Sequence, residues 1–161
     1  SFVLELPKYP QIIVMQTLSK AYGLASLRLG MAFADPTIIS LLNKIKPPYN
    51  IGGATQEIVQ KALANTTFKE EAVKLILSER SRLIETLKNI VEVIHIYPSD
   101  ANFILVQFKR ANDLFHFLIE AKLITRNRSS VALCEDSIRI TIGISEENDK
   151  LVHLIQKFYS A

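Results

Sequence analysis

The hydrophobic spacing of the sequence changes at Ile90, and this change limits the possible folds more than any other feature. Between residues 66 and 90, apolar side chains recur at roughly helical spacing, which predicts one long amphipathic helix. Its charged residues, Glu79 and Arg82 among them, are expected to form a solvated face. After Ile90, "VEVIHIYPS" alternates and "NFILVQF" follows, which predicts two strands joined around residues 98–101. A long helix that leads into such strands has to pack against their sheet.

Strands and helices are also predicted on both sides of this region. Residues 111–122 predict a helix, and "LITRN" and "SIRITIGI" predict a pair of strands. A last helix is expected to be capped by Ser145. Near the start, "QIIVMQTLS" predicts a buried strand and residues 27–34 a second strand. The fold class is therefore α/β, in two unequal parts.

The region between these parts is predicted to be helical. Asp35 as N-cap with Pro36 in the first helical position is a typical helix start, and Pro47 and Pro48 are expected to end that helix. After the "PPYNIGG" loop, a second helix is expected over residues 54–64.

Composition narrows the possible function classes. Apolar residues make up 48% of the 161 residues and charged residues 22%, which is typical of a folded globular chain. The net charge of +3 comes from lysines and arginines mixed with acids, so no nucleic-acid surface is predicted, although a basic pocket for a small anion fits. The longest apolar runs are too short to span a bilayer, so no membrane association is predicted.

Cysteine and histidine give no sign of a reactive or metal centre. The single cysteine, Cys134, lies among acids that disfavour a thiolate, and one cysteine fits a reducing cytoplasm. The three histidines lack the spacing of metal ligands, so no metal site is predicted. They are His95, His116 and His153.

The segment "TLSKAYGLASLRLG", residues 17–30, is the candidate for chemistry. Lys20 follows a predicted strand, and a lysine amine can form a Schiff base with a carbonyl or an aldehyde cofactor. Thr17, Ser19 and Arg28 are suited to a phosphate, because hydroxyls donate hydrogen bonds and arginine makes a bidentate charged pair. Glycines 23 and 30 permit close backbone approach. A phosphate beside a reactive lysine indicates pyridoxal phosphate. Spacing alone, however, favours a surface lysine and a surface arginine beside a turn.

The same segment closely resembles the cofactor-lysine segment of fold type I aminotransferases, and specifically of the histidinol-phosphate aminotransferase family. Further along the chain, "PSDANFILVQF" and "LITRNRSS…SIRITIGISEEND" are similar to strands and the last helix of that family's small domain. The resemblance implies three regions. Residues 1–53 would be the C-terminal part of the large pyridoxal-phosphate-binding domain, residues 54–90 connecting helices, and residues 91–161 the α/β small C-terminal domain.

The resemblance also implies a role for each candidate residue. Lys20 would bind pyridoxal 5′-phosphate as a Schiff base and then transfer the substrate proton. Ser19 and Arg28, with Thr17 as a weaker candidate, would hold the cofactor phosphate. Arg139 would pair with the amino-acid carboxylate, although from the residues alone a strand arginine also fits a solvent-facing position.

Other positions are less well defined. Arg126 would meet the substrate phosphate, and Arg128 is adjacent and is an alternative for that role. Asn102 is expected to brace a turn and Tyr22 to pack. Contacts of Tyr49 and Asn50 with the cofactor or a dimer interface remain open.

The implied reaction is transamination of L-histidinol phosphate with 2-oxoglutarate in histidine biosynthesis, by a cytoplasmic homodimer. In the family, the residues that hold the cofactor ring lie upstream of the lysine segment, so the 161-residue chain is expected to be a C-terminal fragment that is inactive alone. Two alternatives remain. One is a related pyridoxal-phosphate enzyme acting on aromatic amino acids or threonine phosphate, and the other is a non-catalytic interaction fragment.

Overall fold

The computed structural model describes residues 1–48 and 50–160 and contains both helices and sheets, as predicted. The chain forms two compact units, residues 1–71 and 72–161. The helices are α1 Pro36–Ile45, α2 Gly53–Ala64, α3 Thr67–Lys88, α4 Ala111–Glu120 and α5 Ser145–Ser160. The strands are β1 Val14–Thr17, β2 Gly30–Phe33, β3 Val93–Ile96, β4 Phe103–Phe108, β5 Arg126–Asn127 and β6 Ser137–Thr141. No helix in the described part of the chain is long and apolar enough to cross a membrane.

The first unit contains a two-stranded antiparallel sheet. β1 pairs with β2 in a register that sets Thr17 opposite Gly30. The start of α1 follows the prediction, because the carboxylate of Asp35 accepts a hydrogen bond from the N–H of Thr37 at 2.8 Å and Pro36 is the first helical residue. Two short 3₁₀ segments, Phe2–Lys8 and Ala25–Leu27, are additions that periodicity did not indicate.

The prediction that β1 is a buried strand is wrong. Met15 in the middle of β1 is 82% exposed, and Val14 and Gln16 are only partly buried. Among the described residues of this unit, Leu18 and Val59 alone have buried apolar side chains. The reason is that two strands have too few neighbours within the unit to cover both faces of their sheet.

The second unit is built on a four-stranded antiparallel sheet in the order β3-β4-β6-β5. One face of this sheet is apolar and fully covered, since Ile104, Val106 and Phe108 of β4 and Ile138 and Ile140 of β6 are all buried. They pack in one cluster with apolar side chains of helices α3, α4 and α5. Each large apolar side chain buried in this way contributes roughly 1.5–3 kcal/mol, so this cluster supplies most of the unit's stability.

The opposite face of this sheet is only partly covered. Phe103, Leu105 and Gln107 alternate with the buried residues of β4 and are half-buried, as is Arg139 of β6. The predicted pairing of the strands in "LITRN" and "SIRITIGI" is confirmed, although β5 is only two residues long. The strand order therefore presents β4, β6 and β5 side by side on an accessible face.

A buried polar network joins α3 to the start of α5, and the expected solvent-facing position of Glu79 is wrong. Glu79 is 7% exposed. Its two carboxylate oxygens accept hydrogen bonds from Nε and Nη2 of Arg82 at 2.9 and 2.7 Å, and Oε2 also accepts from Nδ2 of Asn148 at 2.8 Å. Arg82 in turn donates to Asp149 at 2.6 Å. These hydrogen bonds from Arg82 and Asn148 lower the pKa of Glu79.

The beginning of α5 differs from the expected cap. Oγ of Ser145 accepts a hydrogen bond from Arg82 at 3.2 Å, while Oε2 of Glu147 accepts from the N–H of Ile144 at 3.2 Å. Asn148 bonds both backbone groups of Gly143, through its Oδ1 at 3.1 Å and its Nδ2 at 3.0 Å. The turn from β6 into α5 is thus held by side chains of α5 itself and linked to α3.

The network predicts a pH-dependent stability difference for Glu79→Gln. The amide places an NH₂ group against the donors of Arg82 and Asn148, so at pH 7 we expect the thermal midpoint to fall by roughly 5 °C. Because the folded-state pKa of Glu79 is depressed, its carboxylate stabilises the fold above the unfolded-state pKa. That contribution is lost as the pH falls through the depressed folded-state pKa, so the two midpoints should converge towards the acid end of the measured range.

The measurement is thermal unfolding by circular dichroism between pH 3 and 7. Glu85→Gln is the matched control, because Glu85 lies on the same helix and bonds Lys88 at 2.6 Å in solvent. A midpoint difference for Glu79→Gln that stays constant over this pH range would contradict a role for the ionised carboxylate.

Candidate active site

Lys20 lies on a short turn that is closed by three local hydrogen bonds. The N–H of Ser19 donates to Oγ1 of Thr17 at 3.1 Å, the N–H of Gly23 to the carbonyl of Lys20 at 2.8 Å, and the N–H of Leu24 to the carbonyl of Leu18 at 3.1 Å. Leu18 is 2% exposed and anchors the turn. The Lys20 side chain itself is exposed. The sequence thus fixes the backbone on both sides of a free amine.

Gly23 is required in this turn by its backbone conformation. Its φ is +67°, in the left-handed region, and a Cβ at this position would meet nothing within 4 Å. Other residues pay about 1–2 kcal/mol for that conformation. At Gly30 a Cβ would lie at an ordinary contact distance of 3.5 Å from the carbonyl of Gln16. Within the chain itself, therefore, neither glycine is needed to make room for a neighbouring atom.

Arg28 lies beside the Lys20 turn in a strained conformation. Its φ and ψ of 50° and 38° are left-handed, although it is not a glycine. Nη1 donates to the carbonyl of Ala25 at 3.2 Å. Non-glycine residues in this region are uncommon and persist where the surroundings hold them, often at binding sites.

Arg28, Thr17 and Ser19 line one groove of about 540 Å³, together with backbone and apolar side chains of β1 and β2. Among the described residues that line it, none is acidic. Two hydroxyls and one guanidinium without a neighbouring carboxylate are a donor set that fits an anion such as a phosphate. The structure thus brings three of the predicted cofactor-binding side chains together, with Lys20 on the adjoining turn.

Tyr22 packs as expected, against a partner that sequence reasoning missed. Nζ of Lys69 lies 5.5 Å from the centroid of the Tyr22 ring, and the same ammonium is 3.6 Å from Glu70. The first turn of α3 thereby contacts the Lys20 turn within the first unit. Asn50 is exposed, and Tyr49 lies outside the described residues.

The two predicted substrate arginines lie directly opposite each other on neighbouring strands. Arg126 of β5 pairs with Arg139 of β6, on the accessible face of the second unit's sheet. Like charges in directly opposed positions destabilise a sheet. Neither arginine forms an ion pair with any residue that the structure describes. Two opposed arginines without acidic partners among the described residues favour binding of an anion at this part of the sheet.

Arg139 is held by an aromatic ring. Its Cζ lies 4.8 Å from the centroid of Phe103, and its Nε is buried without a hydrogen-bond partner among the described residues. Sequence reasoning missed Phe103. The alternation in "NFILVQF" indicates on which face of the sheet each side chain lies, but it does not indicate which strand is the neighbour. Arg128 follows β5, and its N–H donates to the carbonyl of Ser137 at 2.8 Å.

The segment before β4 is braced, although not by the side chain that was expected to do so. The carbonyl of Asn102 accepts from the N–H of Ile142 at 2.9 Å, whereas its side chain is exposed. Oγ of Ser99 donates to the carbonyl of Phe103 at 2.6 Å, and Nη1 of Arg80 donates to the carbonyl of Ala101 at 2.9 Å. Ser99 and Arg80 are therefore the residues that fix this turn.

The remaining candidates make ordinary contacts. His95 forms a T-shaped pair with Tyr97 at 4.6 Å, and His116 forms one with Phe115 at 5.5 Å. Cys134 is half-buried and free. Within residues 1–48 and 50–160, no group of three or more His, Cys, Asp and Glu side chains is arranged to hold a metal. The absence of a metal site stays a prediction.

Comparison with known proteins gives one family. The family described as aminotransferase class I and II matches residues 1–155. The chain is 46% identical over 157 residues to a histidinol-phosphate aminotransferase of Cytophaga hutchinsonii, covering 98% of this chain and 45% of that protein. The chain thus spans less than half the length of this relative.

Solved structures agree in fold. The histidinol-phosphate aminotransferase from Clostridium acetobutylicum matches with a TM-score of 0.89 at 22% identity, over 99% of this chain and 49% of that one. The histidinol-phosphate aminotransferase from Sinorhizobium meliloti in complex with pyridoxal-5′-phosphate matches with a TM-score of 0.79 at 24% identity, over 97% of this chain and 44% of that one. The chain shares its fold with slightly less than half of each of these proteins, and it belongs to the aminotransferase class I and II family.

Proposed function

We propose that this chain is the C-terminal part of a pyridoxal-phosphate-dependent aminotransferase of histidine biosynthesis. The reaction converts L-histidinol phosphate and 2-oxoglutarate into imidazole acetol phosphate and L-glutamate. The observation that carries the proposal is the exposed Lys20 amine on a closed turn beside the acid-free groove of Thr17, Ser19 and Arg28. The names of the curated relatives support the choice of substrate.

The residues present fit pyridoxal 5′-phosphate. When bound, this group supplies an electron sink for cleavage of a bond at the substrate Cα. The amine of Lys20 binds its aldehyde carbon, and the guanidinium of Arg28 with the hydroxyls of Ser19 and Thr17 binds its phosphate. The left-handed backbone of Arg28 is consistent with this assignment, because strained residues concentrate where a ligand is gripped.

Lys20 also carries the proton in this proposal. When its amine is not bonded to the cofactor, Lys20 would act as the base that takes the proton from the substrate Cα and as the acid that returns it. A closed backbone turn with a flexible side chain suits this task, since one nitrogen has to reach two carbon atoms in succession.

The arginine pair binds the anionic ends of the two substrates. Arg139 pairs with the α-carboxylate of glutamate, and Arg126 meets the phosphate of histidinol phosphate or the side-chain carboxylate of glutamate. Their opposed positions support this division, because an anion relieves the repulsion between them. Arg128 is one residue beyond β5 and is the alternative partner for the phosphate.

The complete enzyme needs more chain than the 161 residues. We propose that upstream residues hold the cofactor ring and that the enzyme is a cytoplasmic homodimer. In this proposal residues 1–53 belong to the large domain, residues 54–90 are connecting helices, and residues 91–161 form the small domain. The lengths of the curated relatives, of which this chain covers about 45%, support an additional upstream part.

Reductive trapping tests the role of Lys20. Incubation with pyridoxal phosphate, reduction with borohydride and peptide mapping by mass spectrometry should label Lys20 selectively in a protein of the relatives' full length. Lys69 is the internal control, because it is held between Tyr22 and Glu70. Scattered labelling of the 161-residue chain alone would indicate that upstream residues complete the pocket. Absence of label from Lys20 at both lengths would refute the aminotransferase proposal.

The 161-residue chain by itself should not transaminate. Its Lys20 has the phosphate-binding side chains nearby, but the proposal assigns the groups that hold the cofactor ring to upstream residues. The measurement is glutamate formation from histidinol phosphate and 2-oxoglutarate with added pyridoxal phosphate. Turnover by the purified chain would contradict this division of the site.

Arg126→Ala separates the proposed substrate from its alternatives. In the full-length enzyme, loss of a charged hydrogen-bond partner worth roughly 1.5–3 kcal/mol should raise KM for histidinol phosphate about 10- to 100-fold. KM for an uncharged aromatic amino acid should change little. Arg128→Ala is measured in parallel, and a larger rise in KM for histidinol phosphate in that variant than in Arg126→Ala would assign the phosphate to Arg128. Equal effects of Arg126→Ala on both substrates would favour an aromatic aminotransferase.

A further inference from the structure

The guanidinium of Arg139 lies over an aromatic ring and has no acidic partner among the described residues. Its Cζ lies 4.8 Å from the centroid of Phe103, while its buried Nε has no hydrogen-bond partner among the described residues. No described acid forms an ion pair with it either. A ring face attracts the cation without using its N–H donors, whereas a carboxylate occupies them.

The strand register explains why Phe103 is the contacting residue. In the β4–β6 pairing Leu105 is opposite Arg139 and Phe103 is opposite Thr141, so Phe103 is a diagonal neighbour of Arg139 on the same face. The other diagonal neighbour, Gln107, donates to the carbonyl of Glu135 at 3.3 Å. Of the two diagonal neighbours, Phe103 is therefore the one that is free to contact Arg139.

The position of the ring is fixed through its backbone. The carbonyl of Phe103 accepts from Oγ of Ser99 at 2.6 Å, and Oγ of Ser99 accepts from the N–H of Ala101 at 3.1 Å. The carbonyl of Ala101 accepts from Arg80. The apolar cluster of the second unit does not include Phe103 among the described residues. A ring that is rigidly placed but outside the core has no evident packing role.

We propose that Phe103 is a positioning residue, whose ring sets the guanidinium of Arg139 on the accessible sheet face and leaves its outer N–H groups free for a ligand carboxylate. This inference rests on the proposed function, which assigns the carboxylate to Arg139. The ring does not touch the reacting atoms. It acts through Arg139, so its removal affects carboxylate binding and leaves the chemical step intact.

The test uses the full-length enzyme loaded with pyridoxal phosphate and succinate, a dicarboxylate that cannot react. Isothermal titration calorimetry gives its Kd. Phe103→Leu should raise the Kd of succinate about tenfold, because a partly desolvated cation–π contact is lost. Phe103→Tyr keeps a ring, so its Kd should stay within about twofold of the wild-type value. For glutamate, KM should rise with kcat nearly unchanged. Phe115→Leu, which removes a ring from α4, is the matched control and should bind succinate normally.

A double-mutant cycle decides whether the ring acts through Arg139. In an Arg139→Gln background, Phe103→Leu should have no further effect on Kd. A wild-type Kd for Phe103→Leu, or an equal loss in the two backgrounds, would overturn this inference alone. Normal succinate binding by Arg139→Gln would overturn the assignment of Arg139 under the proposed function as well. Phe103→Met takes the same test if Phe103→Leu does not fold.

Discussion

The carboxylate of Glu79 is the interaction on which the second unit depends. It lies at the junction of α3 and the start of α5 and accepts hydrogen bonds from Arg82 and Asn148. Asn148 then bonds both backbone groups of Gly143, the residue after Ile142 at the end of the sheet. A buried charge is tolerated only when it is paired and hydrogen-bonded, so this geometry admits little variation. The network therefore fixes the turn by which the chain passes from the end of β6 into α5.

The sheet divides the second unit into a covered, stabilising face and an accessible face. The apolar side chains of β4 and β6 are sealed against the helices, and the alternate residues, among them Phe103 and Arg139, remain accessible. Opposing Arg126 to Arg139 works against the stability of the accessible face. The apolar face and the Glu79 network offset that cost, and the charge of both arginines stays available to a ligand.

Local signals in the sequence predicted most of the helices and strands. Contacts between residues far apart in the sequence could not be predicted from it. The N-cap at Asp35, the change of hydrophobic period at Ile90 and the pairing of the last two strands are all present in the structure. The burial of Glu79 was missed because one charged residue among many on a helix shows no partner until α5 is placed beside it. Phe103 was missed because cross-strand register is a tertiary property. The role of Lys20 came from resemblance to a family, since its spacing alone fits an ordinary surface turn.

One physical pattern is common to the candidate residues in the two units. Arg28 bonds a backbone carbonyl, Arg139 lies over a ring, and Lys20 extends from a closed turn. The acid nearest to Arg28 in sequence, Asp35, is engaged by the N–H of Thr37. Carbonyls and rings orient a cation and leave its charge uncompensated, whereas a carboxylate would neutralise it. A protein that handles phosphate and carboxylate ligands in turn needs cations of this kind, because a neutralised cation would first have to break an ion pair. The arrangement of contacts around each cation, more than the number of cations, is therefore the feature that suits this chain to the anionic ligands proposed for it.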